Sequence, residues 1–187
     1  MGGRRGVLLD RDGVLVEEAG IRVGDVVPVS GAAEALGRLS AAGFTLAVVT
    51  NQTVVARGLA TEAEVDEVHR RLAVALGFPE LRFFVCPHHP DADDERYRLD
   101  CDCRKPRPGL LLRAADELGL DLSRSSMVGD RISDVAAGAA AGCRTVLVRT
   151  GAHAEPPIES SEPIPAGLLA DTEVDDLAAA VDWILAQ

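Results

Sequence analysis

GVLLDRDGV, residues 6–14, runs from an uninterrupted apolar stretch straight into two carboxylates, Asp10 and Asp12. An extended segment that is apolar on both faces suits a strand of a parallel sheet covered by helices on both sides. Ligands of such sheets bind beyond the carboxyl ends of the strands, which is where Asp10 and Asp12 would stand. Four similar runs follow: FTLAVVT (44–50), FFVCP (83–87), SMVGD (126–130) and TVLVRT (145–150). Helical patterns lie between them. One starts near Gly31 and carries Leu36 and Leu39; a second opens on the capping box Thr61-x-x-Glu64 and aligns Val65, Val68 and Leu72. Pro108 opens a third, closed by Gly119, and Ser133 or Asp134 caps a fourth that ends at Gly142. The alternation predicts a doubly wound, Rossmann-like α/β fold in a single domain spanning residues 1–187. The proline-rich segment 155–167 reads as an irregular surface connection, and Thr172 as the cap of a C-terminal helix over 172–186 with Val174, Leu177, Val181 and Leu185 on its core face.

The chain has 187 residues and a formal charge of -11, from 19 basic and 30 acidic side chains. A polyanionic partner is a poor match for that balance, so no nucleic-acid role is expected; a small anion in a local basic pocket fits. No apolar run reaches the roughly 18 residues of a membrane helix, and the N-terminal residues enter the charged motif too early for a signal peptide. The expectation is a cytoplasmic protein without a membrane partner, and a monomer, since no large apolar stripe is left over.

The predicted strand ends deliver Asp10-Arg11-Asp12-Gly13, Thr50-Asn51-Gln52 and Gly129-Asp130-Arg131, with Asp134 close behind, while the third strand leads to Arg104-Lys105. Each group alone has a local reading as a turn or a cap. All of them at one sheet edge point to a site. Hydrolysis of a phosphomonoester needs a nucleophile, an acid and neutralisation of crowded negative charge. Asp10 suits the nucleophile, forming an aspartyl-phosphate, and Asp12 suits an acid that later serves as base. Asp10 and Asp130 need a divalent cation between them, and oxygen ligands favour Mg²⁺. Thr50 and Asn51 offer donors to phosphate oxygens, and Lys105 supplies fixed positive charge.

A second cluster lies in CPHHPDADDERYRLDCDCRKPRPG, residues 86–109. Cys86 and His88, then Cys101 and Cys103, form two chelating pairs that suit a tetrahedral structural Zn²⁺ over a loop at 86–103, with no open position for substrate. His89 is the rival imidazole; the one-residue spacing repeated in both pairs favours His88. A reduced cysteine loop without metal is the alternative. Cys143, at the head of an apolar run, reads as a small buried residue.

The spaced set DRDGV, TNQ, RKPRPG and GDRISD resembles the four motifs of the haloacid dehalogenase superfamily over roughly residues 6–150. With CPHHP, CDCRKPRPG and the ARG at 56–58 it is similar, within that superfamily, to the capless branch of D-glycero-D-manno-heptose 1,7-bisphosphate 7-phosphatases and histidinol-phosphatase domains. The resemblance implies catalytic Mg²⁺ held by Asp10, Asp130 and the main-chain oxygen of Asp12, with Asp134 acting through its neighbours. It also implies a structural Zn²⁺, and phosphate or sugar-phosphate contacts from Thr50, Asn51, Gln52, Arg104, Lys105 and Arg131. Only 37 residues lie between Asp12 and Thr50, and 54 between Thr50 and Lys105, too few for a lid domain. Selection then falls to the rim: EEAGIRVGDVV (17–27), the turn after Asn51, and the cysteine loop. This rim departs from the family pattern, with Gly20-Ile21 in a shortened loop, Thr53-Val54-Val55 after TNQ, and Arg131 in place of a lysine.

The expected activity is removal of the 7-phosphate from a heptose 1,7-bisphosphate, in the route to nucleotide-activated heptoses. A second substrate phosphate would account for Arg57, Arg104, Arg107 and Arg131. Histidinol phosphate is the alternative substrate, its amine suiting Glu17, Glu18 or Asp25. A polynucleotide 3′-phosphatase fits the acidic balance poorly, and a non-catalytic zinc or sugar-phosphate binder would be expected to carry a damaged motif.

Overall fold

Successive residues of an extended strand face opposite sides of a sheet, and in the strand that begins this fold Val7, Leu8 and Leu9 are all fully buried. The sheet therefore has a covered core on each face. The computed structural model describes residues 3–17, 27–151 and 164–187. Six parallel strands, β1 (Gly6–Leu9), β2 (Thr45–Asn51), β3 (Arg82–Cys86), β4 (Ser126–Gly129), β5 (Arg144–Val148) and β6 (Thr172–Val174), pair in the order β3-β2-β1-β4-β5-β6. Among the described residues five α-helices cover them: α1 (Ala32–Ala41), α2 (Glu62–Ala75), α3 (Gly109–Leu118), α4 (Ile132–Ala140) and α5 (Leu177–Leu185).

Val7, Leu9, Val48 and Val128 pack on one face with Leu36 and Leu39 of α1, Leu72 of α2, and Val181 and Ile184 of α5. Leu8, Ala47, Val49 and Met127 pack on the other with Leu110 and Leu111 of α3 and Ala137 of α4. Each fully buried leucine contributes about 1.5–3 kcal/mol relative to an exposed one, which secures the register of strands whose ends carry the chemistry. Between β1 and β4 the strand order changes direction, and the crevice opens at the carboxyl ends of these two strands.

The expected α/β architecture and the first five strands are present, as is the capping box at Thr61: Glu64 N–H donates to the Thr61 hydroxyl at 3.2 Å, and Thr61 N–H to the Glu64 carboxylate at 2.7 Å. Two boundaries differ. Residues 172–174 form the edge strand β6 rather than the first turn of the last helix, with Val146 opposite Thr172 and Val148 opposite Val174. The β-branched Thr172 and Val174 suit an extended edge, and Asp176 supplies the cap of α5 by accepting from Ala179 N–H at 2.9 Å. The helix consequently buries Ile184, while Leu185 remains 38% exposed. In α4 the cap is Arg131, not Ser133 or Asp134; Asp134 sits in the first turn and its carboxylate reaches back to accept from Arg131 N–H at 3.0 Å.

Residues 155–163 of the proline-rich connection and residues 18–26 of the rim segment, with Glu18, Gly20, Ile21 and Asp25, lie outside the described residues. Among the described residues no helix is long and apolar enough to cross a membrane.

Candidate active site

Sheet register brings the first carboxylate group together. Leu9 pairs with Val128, and Asp10 N–H donates to Val128 O at 2.9 Å, so Asp10 leaves β1 beside the Gly129-Asp130 end of β4. Ligand oxygens of Asp10, Asp130 and Asp134 converge within 4.8 Å of one another, and all three residues are buried. Gly13 and Gly151 flank Asp130 at φ +76 and +62, and a Cβ on either would fall on the Asp130 carboxylate. The two glycines thus leave the space the carboxylate occupies. Three converging carboxylates fit a hard divalent cation such as Mg²⁺.

Lys105 enters this cluster from the loop before α3. Its side chain is 2% exposed, and Nζ lies 3.0 Å from Asp10 Oδ1, 2.6 Å from Asp134 Oδ1 and 2.9 Å from Val49 O. Burial opposes a charged amine, but the two carboxylates outweigh it and hold Lys105 above the ordinary lysine range. Both Asp134 oxygens are engaged, one by Lys105 and one by Arg131 N–H, so Asp134 orients its neighbours.

Asp12 stands apart from this carboxylate cluster. Its Oδ1 accepts from Arg11 Nη2 at 2.7 Å and Nε at 3.1 Å, and its Oδ2 accepts from Arg11 Nη2 and from Gln52 Nε2, each at 2.9 Å. Gln52 Nε2 also donates to Thr50 Oγ1 at 2.9 Å. The Arg11 guanidinium continues to His69 Nε2 at 3.2 Å.

Asn51 does something its motif did not reveal. Its side-chain amide donates to Lys105 O and accepts from Lys105 N–H, both at 3.1 Å, so it binds the lysine's main chain while Asn51 also lines the cavity. Asn51→Ala should cost about 1–3 kcal/mol, because it leaves both main-chain groups of the buried Lys105 without these partners. Urea unfolding of the two proteins measures that difference.

Beside this clamp, Cys86 ends β3 opposite Asn51. The Cys86 sulfur lies 3.5 Å from Cys101 and 3.2 Å from Cys103, and Cys101 lies 3.2 Å from Cys103. His88 Nδ1 is 3.8 Å from Cys86 and 3.4 Å from Cys103. Cys103 is pulled down to about 5 by hydrogen bonds with Cys86, Cys101 and His88, whereas its bond to Cys103 together with burial pushes Cys86 up. Three sulfurs and one imidazole nitrogen in this grouping fit a tetrahedral Zn²⁺. The rival His89 is committed elsewhere: its Nδ1 accepts from Asp91 N–H at 3.1 Å.

A cavity of about 180 Å³ opens over both halves of the site. Arg11, Arg57, Arg104, Lys105 and Arg131 face Asp10, Asp12, Asp130 and Asp134 there, a locally basic lining within an acidic chain. Arg104 is 7% exposed; its Nη1 donates to His88 O at 3.2 Å, and its Nε is buried with no hydrogen-bond partner among the described residues. Burial lowers its affinity for the proton, so an added anion is favoured there. Arg107 is not among the cavity residues; it lies 2.9 Å from Asp100 and donates to Cys101 O at 3.1 Å, bracing the cysteine loop.

Arg11, His69 and Thr150 escaped the sequence reading as site residues. His69 lies on the buried stripe of α2 between Val65 and Leu72, a position that marks it as interior without naming its partner. Thr150, after β5, donates to Gly13 O at 2.5 Å, and nothing local announces that contact.

A family model described as "HAD-hyrolase-like" matches residues 102–180. The chain is 39% identical over 185 residues to the D-glycero-beta-D-manno-heptose-1,7-bisphosphate 7-phosphatase of Pseudomonas aeruginosa, covering 96% of this chain and 97% of that protein. It is 39% identical over 161 residues to the protein of the same name from Escherichia coli, covering 83% and 85% respectively. Among solved structures, D,D-heptose 1.7-bisphosphate phosphatase from B. bronchiseptica, complexed with magnesium and phosphate, superposes with a TM-score of 0.78 at 33% identity, covering 97% of this chain and 98% of the other.

Proposed function

This chain belongs to the haloacid dehalogenase-like hydrolases, in the branch of heptose-bisphosphate 7-phosphatases, and from that premise we propose that it hydrolyses the 7-phosphate of a D-glycero-D-manno-heptose 1,7-bisphosphate. The observation that carries this reading is the buried Asp10–Lys105–Asp134 group beside Asp130, with Asp12 held separately across a basic cavity. It separates a nucleophile from an acid, as a two-step phosphoryl transfer requires.

Asp10 attacks phosphorus while the bond to the sugar oxygen breaks, and Asp12 gives that oxygen its proton. In the second step Asp12 takes a proton from water, which attacks the aspartyl-phosphate and returns the Asp10 carboxylate with release of phosphate. Lys105 neutralises charge on Asp10 and on the phosphoryl oxygens, and Thr50 and main-chain groups at the end of β2 orient them. Asn51 positions the lysine by holding the main chain of Lys105. Mg²⁺ bound by Asp10, Asp130 and the main-chain oxygen of Asp12 would screen the repulsion between carboxylates and phosphate.

Arg57 and Arg104, with Arg131 on the opposite rim, suit the second phosphate of a bisphosphate, and a substrate amine would meet their charges unfavourably. This favours the heptose substrate over histidinol phosphate. The protein would work as a monomer in the cytoplasm on this small soluble ester. Turnover efficiency on the α and β anomers of the bisphosphate and on histidinol phosphate tests the choice: at least about a tenfold preference for one heptose anomer is expected, equivalent to 1.4 kcal/mol. Preference for histidinol phosphate would reverse the assignment.

Zn²⁺ held by Cys86, His88, Cys101 and Cys103 leaves no ligand position for substrate, so its role is to tether the chain running through Cys103 and Arg104 to Lys105. Cys101→Ser should lose stoichiometric zinc by elemental analysis and reduce turnover about 10- to 100-fold. An unchanged zinc content would remove Cys101 from the ligand set.

A further inference from the structure

Arg11 sits between the two motif carboxylates, yet its guanidinium is spent on only one of them. Nε and Nη2 engage the Asp12 carboxylate, while Nη1 meets His69 Nε2 at 3.2 Å. The side chain is 10% exposed, so these contacts are made away from bulk water. His69 comes from α2, 58 positions along the chain, and is 3% exposed. Its ring stacks on Phe83 of β3 with centroids 4.4 Å apart and planes at 11°. The imidazole is therefore fixed between a strand of the central sheet and the guanidinium.

Burial, with the Arg11 charge beside it, holds His69 down at about 3, so the ring is neutral. Arg11 can only donate, which makes Nε2 the acceptor and leaves the ring proton on Nδ1, a buried atom with no hydrogen-bond partner among the described residues, so the Arg11 contact alone selects this tautomer. A neutral acceptor satisfies the Nη1 edge without cancelling the guanidinium charge. A carboxylate at the same place would compete with Asp12 for that charge; an apolar side chain would leave a buried donor unsatisfied. Gln52 completes the arrangement by donating to the other Asp12 oxygen at 2.9 Å.

We propose that His69 and Arg11 are a positioning pair for Asp12: His69 seats the guanidinium, and the guanidinium sets the direction in which the Asp12 carboxylate meets the leaving-group oxygen. The inference rests on the phosphatase reading above and adds two residues to it. As the phosphorus–oxygen bond breaks, its electron pair goes to the leaving oxygen and the Asp12 proton follows it. The carboxylate left behind is the ionised group that Arg11 and Gln52 hold, correctly placed to take the next proton from water. Neither His69 nor Arg11 exchanges a proton in either step.

An acid that is badly aimed matters only when the leaving group needs a proton, and that dependence separates positioning from general damage. The experiment compares kcat/KM with Mg²⁺ on the primary alkyl ester of heptose 1,7-bisphosphate and on p-nitrophenyl phosphate, whose phenolate departs unassisted; kcat/KM reports only the steps up to that departure. His69→Leu should lower the alkyl value about tenfold and the aryl value by less than about twofold, as expected for partial loss of general-acid catalysis. His69→Gln, whose amide oxygen can accept from Nη1, should recover most of the alkyl activity. Equal losses on both esters, as partial unfolding would produce, would overturn the proposal, and so would no loss on either. A wild-type protein that released no phosphate from either ester would overturn the hydrolytic reading and this pair with it.

Discussion

Asp10→Asn should lower steady-state phosphate release by a factor on the order of 10⁴ or more, because the variant lacks the group that would form the covalent intermediate. The substitution is nearly isosteric, and the main-chain bond from Asp10 N–H to Val128 O is untouched, so the backbone at the end of β1 should stay in place. Loss of the negative charge weakens the contact with Lys105 at 3.0 Å, but Asp134 at 2.6 Å still pairs with the amine. Circular dichroism should accordingly show native secondary structure in a protein that no longer turns over. A variant retaining activity within tenfold of wild type would move the nucleophile away from Asp10.

Lys105→Met should be the most damaging change to stability. It deletes the cation shared by Asp10 and Asp134 at a point where the lysine side chain is 2% exposed, leaving two buried carboxylates without it. Breaking a buried pair from one side costs about 3–5 kcal/mol, since the remaining charge keeps its desolvation penalty. For a chain of this length such a loss lowers Tm by about 6–20 °C. Turnover should fall with it even well below the new Tm, because Asp10 loses its neutralising partner. If thermal unfolding of the variant coincided with wild type, the ion pair would not be holding this site together.

Much of this was legible from short stretches. GVLLD, FTLAVVT and SMVGD are apolar on both faces and stop at polar residues, so strands and strand-end chemistry could be read together. β6 was harder: three residues, TEV, form an edge strand with no apolar run, and their proximity to α5 made them look like its first turn. The cysteine and histidine spacing foretold a cluster that the fold does assemble. What no local pattern could supply is the set of contacts made across the sheet. Asn51 reaches Lys105 across 54 positions and Arg11 reaches His69 across 58, so the residue types were visible but their partners depended on strand order and helix placement. That the Asn51 amide holds the lysine's main chain, and that the Arg11 guanidinium meets a histidine of α2, are visible only in the fold.

The same contacts explain how a cysteine–histidine cluster outside the reacting carboxylates could still matter to the reaction. Cys103, Arg104 and Lys105 are consecutive, and Asn51 grips the last of them from β2 while Cys86, opposite Asn51 on β3, anchors the first through the sulfur cluster. Two attachments on neighbouring strands fix the loop from which the lysine projects.

The central claim is that this site removes one particular phosphate, and ³¹P NMR of the wild-type protein with Mg²⁺ and D-glycero-D-manno-heptose 1,7-bisphosphate tests it directly. The resonance of the 7-phosphate should be replaced by that of inorganic phosphate while the anomeric phosphate resonance persists. Loss of the anomeric phosphate first, or two unchanged ester resonances after prolonged incubation, would contradict the account.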